Sequence, residues 1–259
     1  MEKIVTIDQE NKINTYHFFD GYLLVNKKYS CFHFNHLSLN KCFKLTSEIH
    51  NMGKKAYLLI DRVLFEDDLI NLKRTITRFE KVNIDGYFFS DLGVIPLLKE
   101  LGILNKGIYY SQTQIVSEME LETFSNFGLK AIFASKEFPS ESLFNIIGKY
   151  PLGINVYGYK NLFYSRRKLL SAYQDEFKEK GKYNHNNSFK IKEKKRDIKN
   201  IIFEDQYGTY IFTDYIDNQL DKLNMYQEKG LNYALLDDNL VSQDTFTNDL
   251  SFLNEVEGY

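Results

Sequence analysis

Short apolar runs recur along this chain at a spacing that few folds accept. DGYLLV (20–25), KAYLLI (55–60), DGYFFS (85–90), GIYYS (107–111), KAIFA (130–134) and GINVY (153–157) follow one another, and NYALL (232–236) adds a seventh. Between the first six the interval is roughly 20 to 35 residues, enough for a strand, a helix and two short loops. Amphipathic helices fit the gaps. LSLNKCFKLTSEIHNMG and MELETFSNFG stop at Gly53 and Gly128, and PSESLFNIIG has Pro139 near its start and Gly148 at its end.

Alternating units of this length demand parallel strands and right-handed crossovers. An open doubly wound sheet and a closed (β/α) barrel both satisfy that. No glycine-rich phosphate loop follows any strand, which weakens the nucleotide-binding sheet. The chain therefore reads as α/β and TIM-barrel-like. Residues 1–19 and the final helix find no place in the pattern, so a complete, an incomplete and a distorted barrel stay open. The alternation breaks after Ser171. A polar stretch, 175–199, leads into IIFEDQYGTYIFT (201–213), which reads as a β-hairpin, and then into the helix DNQLDKLNMYQEKG. We read one domain over 1–259, with 175–213 as a polar insertion and β-excursion after the sixth strand.

With 259 residues, such a domain buries roughly three quarters of the surface its unfolded chain exposes. A formal charge of −2 argues against a generally basic nucleic-acid coat. The two cysteines, Cys31 and Cys42, have no CxxC spacing, and no signal-like or membrane-length apolar run occurs. We expect a reduced, cytoplasmic protein without a membrane partner.

In parallel barrels the chemistry lies at the C-terminal strand ends. The polar residues there are Asp61 with Arg62, Ser90 with Asp91, Ser111 with Gln112 and Gln114, Ser135 with Lys136 and Glu137, and Asp237 with Asp238. Asp61, Ser90, Ser111, Gln112, Gln114 and Asp237 could line a polar small-molecule pocket. Glu137, Asp91 and Lys136 are the candidates for acid–base catalysis. The alternative is loop-starting and helix-capping duty, which Asp and Ser favour anyway. His33-x-x-His36 lacks a third ligand, so the histidines read as ordinary surface or loop residues and no metal is expected. No nucleophile elbow or zinc-protease helix is present.

Beyond GINVY stands a basic, aromatic segment, GYKNLFYSRRKLLS. Arg166, Arg167 and Lys168, beside Tyr159 and Tyr164, offer phosphate contacts and stacking faces of the kind single-stranded RNA sites use. Tyr183, Lys190, Lys192, Lys194, Lys195, Arg196 and Lys199 continue the pattern. A solvated polar loop is the alternative.

The order of segments resembles peptidase family U32, from about Asp20 to about Asn239. IDGYFFSDLGVIPLLKELG is similar to a strand-and-helix unit of that family. IYYSQTQIVSEMELETFSNFGLKAIFASKEFPSESL resembles the next two units. In them Ser111, Gln112 and Gln114 follow a Ser-x-Gln pattern, and Ser135, Lys136 and Glu137 stand where the family has an Arg-Glu or similar pair. VYGYKNLFYSRRKLLSAY matches the family's signature after the sixth strand, and EDQYGTYIFTDYIDNQLDKL and EKGLNYALLDD resemble the region that closes the barrel.

The resemblance implies a barrel, and a family named for proteolysis. Its relatives also support hydroxylation of tRNA or rRNA bases and of ubiquinone precursors, some as pairs of homologous chains. In hydroxylating relatives, cysteines of the signature hold an iron–sulfur cluster. Here Asn161 and Lys168 stand at two of those places, and the chain after position 153 has no cysteine. Neither side chain supplies a thiolate. No cofactor is therefore expected. The leading expectation is a partner or pseudo-enzyme, free of the family's iron–sulfur cysteines, that supports RNA base hydroxylation beside a cluster-bearing homologue, touching tRNA, rRNA or that partner through Arg166, Arg167, Lys168, Tyr159 and Tyr164. The alternatives are a metal-independent peptidase or other hydrolase, and a small-molecule-binding barrel without turnover.

Overall fold

The computed structural model describes residues 1–31, 33–111, 113–178, 188–192, 194 and 197–256. Gln112, Tyr183, Lys195 and Arg196 lie outside them. The chain forms two compact units, one of 1–158 with 218–259 and one of Tyr159–Asp217.

The first unit is the barrel. Its strands are β1 (Glu2–Ile7), β2 (Gly21–Leu24), β3 (Lys55–Ile60), β4 (Gly86–Phe89), β5 (Gly107–Tyr109), β6 (Ala131–Phe133) and the start of β7 (Leu152–Ser165). Its helices are α1 (Lys12–Thr15), α2 (Leu39–Asn51), α3 (Glu66–Glu80), α4 (Val94–Glu100), α5 (Glu118–Ser125) and α6 (Ser140–Ile146). The second unit holds the rest of β7, α7 (Leu169–Phe177), β8 (Phe189–Lys192), β9 (Lys199–Asp205) and β10 (Gly208–Asn218). The chain then returns through α8 (Leu223–Glu228), β11 (Tyr233–Leu236) and α9 (Gln243–Val256).

The ladder β11-β1-β2-β3-β4-β5-β6-β7 is parallel throughout, and β7 pairs with β11 to close it. Closure settles the question that the sequence pattern left open. The missing strand is β1, EKIVTI, which enters between β11 and β2. It places the strand predicted as sixth seventh in the barrel. The final helix belongs to the same unit: the Phe246 ring meets Tyr16 and Tyr157 at 5.3 and 5.1 Å.

Side chains alternate in and out along each strand. The inward row gives one apolar cluster of Ile4, Leu23, Val25, Tyr57, Leu59, Phe88, Ile108, Tyr110, Ala131, Phe133 and Leu235. Phe88 sits among Tyr57, Tyr110 and Phe133 with centroid distances of 5.1–5.8 Å. β7 makes room for this ring cluster with a glycine. A Cβ on Gly153 would lie 2.3 Å from the Phe133 ring. The barrel is thus filled by aliphatic side chains packed around an aromatic centre, and buried polar residues gather at its C-terminal strand ends.

In the second unit the strands run in the order β7-β10-β9-β8. β9 and β10 form the predicted hairpin, antiparallel around Gln206 and Tyr207. Asp205 Oδ1 accepts from the amides of Tyr207 and Gly208 at 2.8 and 3.0 Å and so shapes the turn. Ile202, Phe203, Tyr210 and Phe212 are buried, and the Tyr164 ring stacks on Tyr210 at 4.8 Å. Among the described residues no helix is long and apolar enough to cross a membrane.

Candidate functional site

The C-terminal ends of the barrel strands carry a ring of buried polar residues: Thr6, Asp8, Asp61, Ser135, Asn155 and Asp238 are each no more than 8% exposed. Asp237 follows β11 directly. Gly158 holds it close to β7, because at φ +129° the glycine leaves no Cβ to collide with the Asp237 carbonyl. The Asp237 amide bonds the Tyr157 carbonyl at 3.0 Å.

Two linked groups occupy this ring. In the first, Lys12 on α1 bridges Asp8 at 2.7 Å and Asp238 at 2.6 Å, and the Tyr16 hydroxyl donates to Asp238 at 2.9 Å. Thr6 lies 3.1 Å from both Asp237 Oδ1 and Asp238 Oδ1, and its hydroxyl can donate to one at a time. Burial works to lower the Lys12 ammonium, but the two carboxylates outweigh it and hold its pKa up.

The second group centres on His33, in the loop after β2. Its Nδ1 donates to the Cys31 carbonyl at 3.3 Å, and its Nε2 faces Asp237 Oδ1 at 3.6 Å, too long for a hydrogen bond but close for charge attraction. Burial opposes the imidazolium, yet Asp237, Asp61 and Asp8 raise His33 to about 9. Burial likewise pushes Asp237 up, and His33 with Lys136 overcomes it, holding Asp237 down to about 2. Burial pushes Asp61 up, against the Cys31 amide that donates to it at 2.7 Å. His36 is lowered to about 4 by burial and by the charge of His33. His33 is therefore a loop residue, as its sequence context suggests, but a buried one facing a carboxylate rather than a surface histidine.

Of the pocket residues picked from sequence, the structure brings Asp61 and Asp237 together with Lys136, half-buried, whose charge acts on Asp237. Ser90 donates to the Asp61 carbonyl at 2.8 Å. Ser111 accepts from the Gln114 amide at 2.8 Å, and Gln114 Oε1 accepts from the outward-facing Tyr109 hydroxyl at 2.6 Å, so this pair shapes its own loop. Asp91 accepts from the amides of Leu64 and Gly93, both at 2.8 Å, and organises the entry to α4. Glu137 is exposed, and its amide donates to Ser135 Oγ at 3.1 Å. In the second unit Arg166 and Tyr159 are half-buried, and Arg167 and Lys168 are exposed.

Sequence reasoning missed Thr6, Asp8, Lys12, Tyr16, His33 and Asn155. The signal for three of them was present: Asp8 and Lys12 stand four apart after a short β-branched run holding Thr6. Asn155 hid inside an apolar strand, and nothing local marks it.

A cluster is not accommodated by these residues. An iron–sulfur centre needs several thiolates, and Cys31 and Cys42 are both buried in the barrel unit, with burial pushing the Cys42 thiol to about 12. Among the described residues no group of three or more His, Cys, Asp and Glu could hold a metal ion.

Comparison with known proteins bears on the same scaffold. The chain is similar to tRNA hydroxylation protein P2 of Bacillus subtilis (strain 168), 22% identical over 200 residues that span 73% of this chain and 62% of that protein. The solved U32 peptidase Mk0906 matches with a TM-score of 0.60 at 11% identity over 92% of each chain. The C-terminal domain of a putative chitinase from Desulfitobacterium hafniense DCB-2 matches at 0.50, with 14% identity over 98% of each chain. At such identities the structural likeness speaks for the barrel alone. The sequence model of peptidase family U32, however, matches residues 21–248, from β2 into α9, and a match of that extent makes this chain a member of peptidase family U32.

Proposed function

We propose that the protein supports tRNA base hydroxylation as the member of a pair that lacks the cluster cysteines, docking a cluster-bearing family homologue through its second unit. One observation carries this reading. Helix α7 is firmly started yet buries none of its residues. Its first amides are held from outside: Leu169 donates to Thr209 Oγ1 at 2.9 Å, and Leu170 to the buried Glu204 carboxylate at 2.7 Å. Leu169, Tyr173 and Phe177, spaced i, i+4, i+8 on one face, are 39%, 46% and 60% exposed. A pinned helix with an outward apolar stripe suits a protein interface.

Basic residues adjoin the stripe. Arg167 and Lys168 are exposed immediately before the helix, where RNA phosphate or an acidic partner surface would meet them. The family and the tRNA hydroxylation relative supply the chemistry to which such a partner would contribute. The absent thiolates make the chain a supporter of that chemistry, with the cluster on the other subunit.

The test is co-purification of the chain with its cluster-bearing homologue. Leu169→Ser with Tyr173→Ser and Phe177→Ser should abolish the complex and leave the melting temperature within about 2 °C, since exposed side chains add little stability. A complex that survives the triple change, or no complex with any family homologue, contradicts the proposal.

A further inference from the structure

Tyr110, the residue after β5, continues that strand's inward row and forms the top of the aromatic filling, edge-on to Phe88 at 5.8 Å and to Phe133 at 5.5 Å. Its hydroxyl accepts from Asn155 Nδ2 at 3.0 Å, across from β7. That bond leaves two groups unspent. Asn155 Oδ1 has no hydrogen-bond partner although the residue is only 8% exposed. The Tyr110 hydroxyl proton meets no acceptor among the described residues. Reversing the Asn155 amide exchanges donor and acceptor between the two residues and still leaves both kinds of group beside each other. Buried polar groups are nearly always paired in folded proteins, so two such groups at a barrel's C-terminal end point to a guest.

The surrounding charges say what kind of guest. Asp8 and Asp238 share Lys12, Asp237 faces His33, and Asp61 takes the Cys31 amide and lies under the charges of His33 and Arg62. Each carboxylate is already answered, and an ionic ligand would have to break one of these pairs. The groups that Tyr110 and Asn155 leave unspent are neutral; His33 Nε2 also makes no hydrogen bond, but its charge is already met by Asp237 at 3.6 Å.

We infer that the barrel end binds a small uncharged molecule carrying an N–H beside a C=O, the edge of a lactam or cyclic imide. The N–H donates to Asn155 Oδ1 and the carbonyl accepts from the Tyr110 hydroxyl. The site lies wholly within the barrel unit and does not depend on the partner role of α7.

Ligand-observed NMR titration of the full chain tests this with 2-pyrrolidinone, N-methyl-2-pyrrolidinone and acetate. 2-Pyrrolidinone should bind, and the N-methyl analogue, which keeps the carbonyl but lacks the N–H, should bind about tenfold more weakly, as one lost hydrogen bond implies. Acetate should not compete. Tyr110→Phe should weaken 2-pyrrolidinone by a similar factor, and Asn155→Leu should abolish its binding. Should Asn155→Leu fail to fold, Tyr110→Phe decides, because it removes a single oxygen and keeps the ring packing. Equal binding of both lactams, preferential binding of acetate, no binding of any probe, or an unaffected Tyr110→Phe variant would overturn the inference.

Discussion

His33 Nε2 lies 3.6 Å from Asp237 Oδ1, tying the loop after β2 to the end of β11 on opposite sides of β1. The pair makes stability depend on pH in a direction that can be worked out. His33 is raised from 6.5 to about 9, so its contribution is complete below pH 6.5 and is lost as pH rises through 9. Asp237 is lowered from 3.8 to about 2, so its contribution holds above pH 3.8 and is lost as pH falls through 2. The alkaline loss should amount to no more than about 3 kcal/mol. Thermal melts of wild type should fall between pH 6.5 and 9, and His33→Gln should flatten that limb. Parallel curves for the two proteins would show that the pair carries no such energy.

The Gly153–Phe133 contact predicts a steric effect far from any charge. A Cβ on Gly153 would sit 2.3 Å from a ring held between Phe88 and Tyr110. Gly153→Ala should cost about 2 kcal/mol or more by chemical denaturation, as overpacked cores do. Adding Phe133→Leu should recover part of it. A neutral Gly153→Ala would mean that the barrel filling yields more easily than its geometry indicates.

Asp91 and Glu137 separate loop-building from chemistry. Asp91 accepts two amide bonds, so Asp91→Ala should lower stability by about 1–3 kcal/mol. Glu137 is exposed, and Glu137→Gln should leave the melting curve unchanged. A cellular assay of the RNA product then reads any chemical role of Glu137 without interference from folding. Loss of product in Glu137→Gln at full stability would revive the acid–base alternative.

Much of the scaffold was legible because strand and helix periods differ and the chain repeats both. Seven strand segments and the β9–β10 hairpin announced themselves by apolar runs bounded by turn residues. β1 did not, because EKIVTI starts at the chain's beginning with two charges and is followed by a polar stretch, DQENK. Closure by β1 and β11 is a long-range event that no local pattern encodes. The same gap hid half of the polar ring: Lys12 and Tyr16 become neighbours of Asp238 only once β1 and β11 lie side by side. Asp61 and Asp237 were visible because strand ends in such barrels draw attention. His33 was not, since its partner stands more than two hundred positions away in the chain.

The measurement that bears most directly on the central claim is nucleoside mass spectrometry of total tRNA and rRNA from cells with and without this gene. One hydroxylated tRNA base should be lost in the deletion. The wild-type chain should restore it, and Arg166→Ala with Arg167→Ala should not. An unchanged modification profile in the deletion strain would contradict a role in RNA hydroxylation.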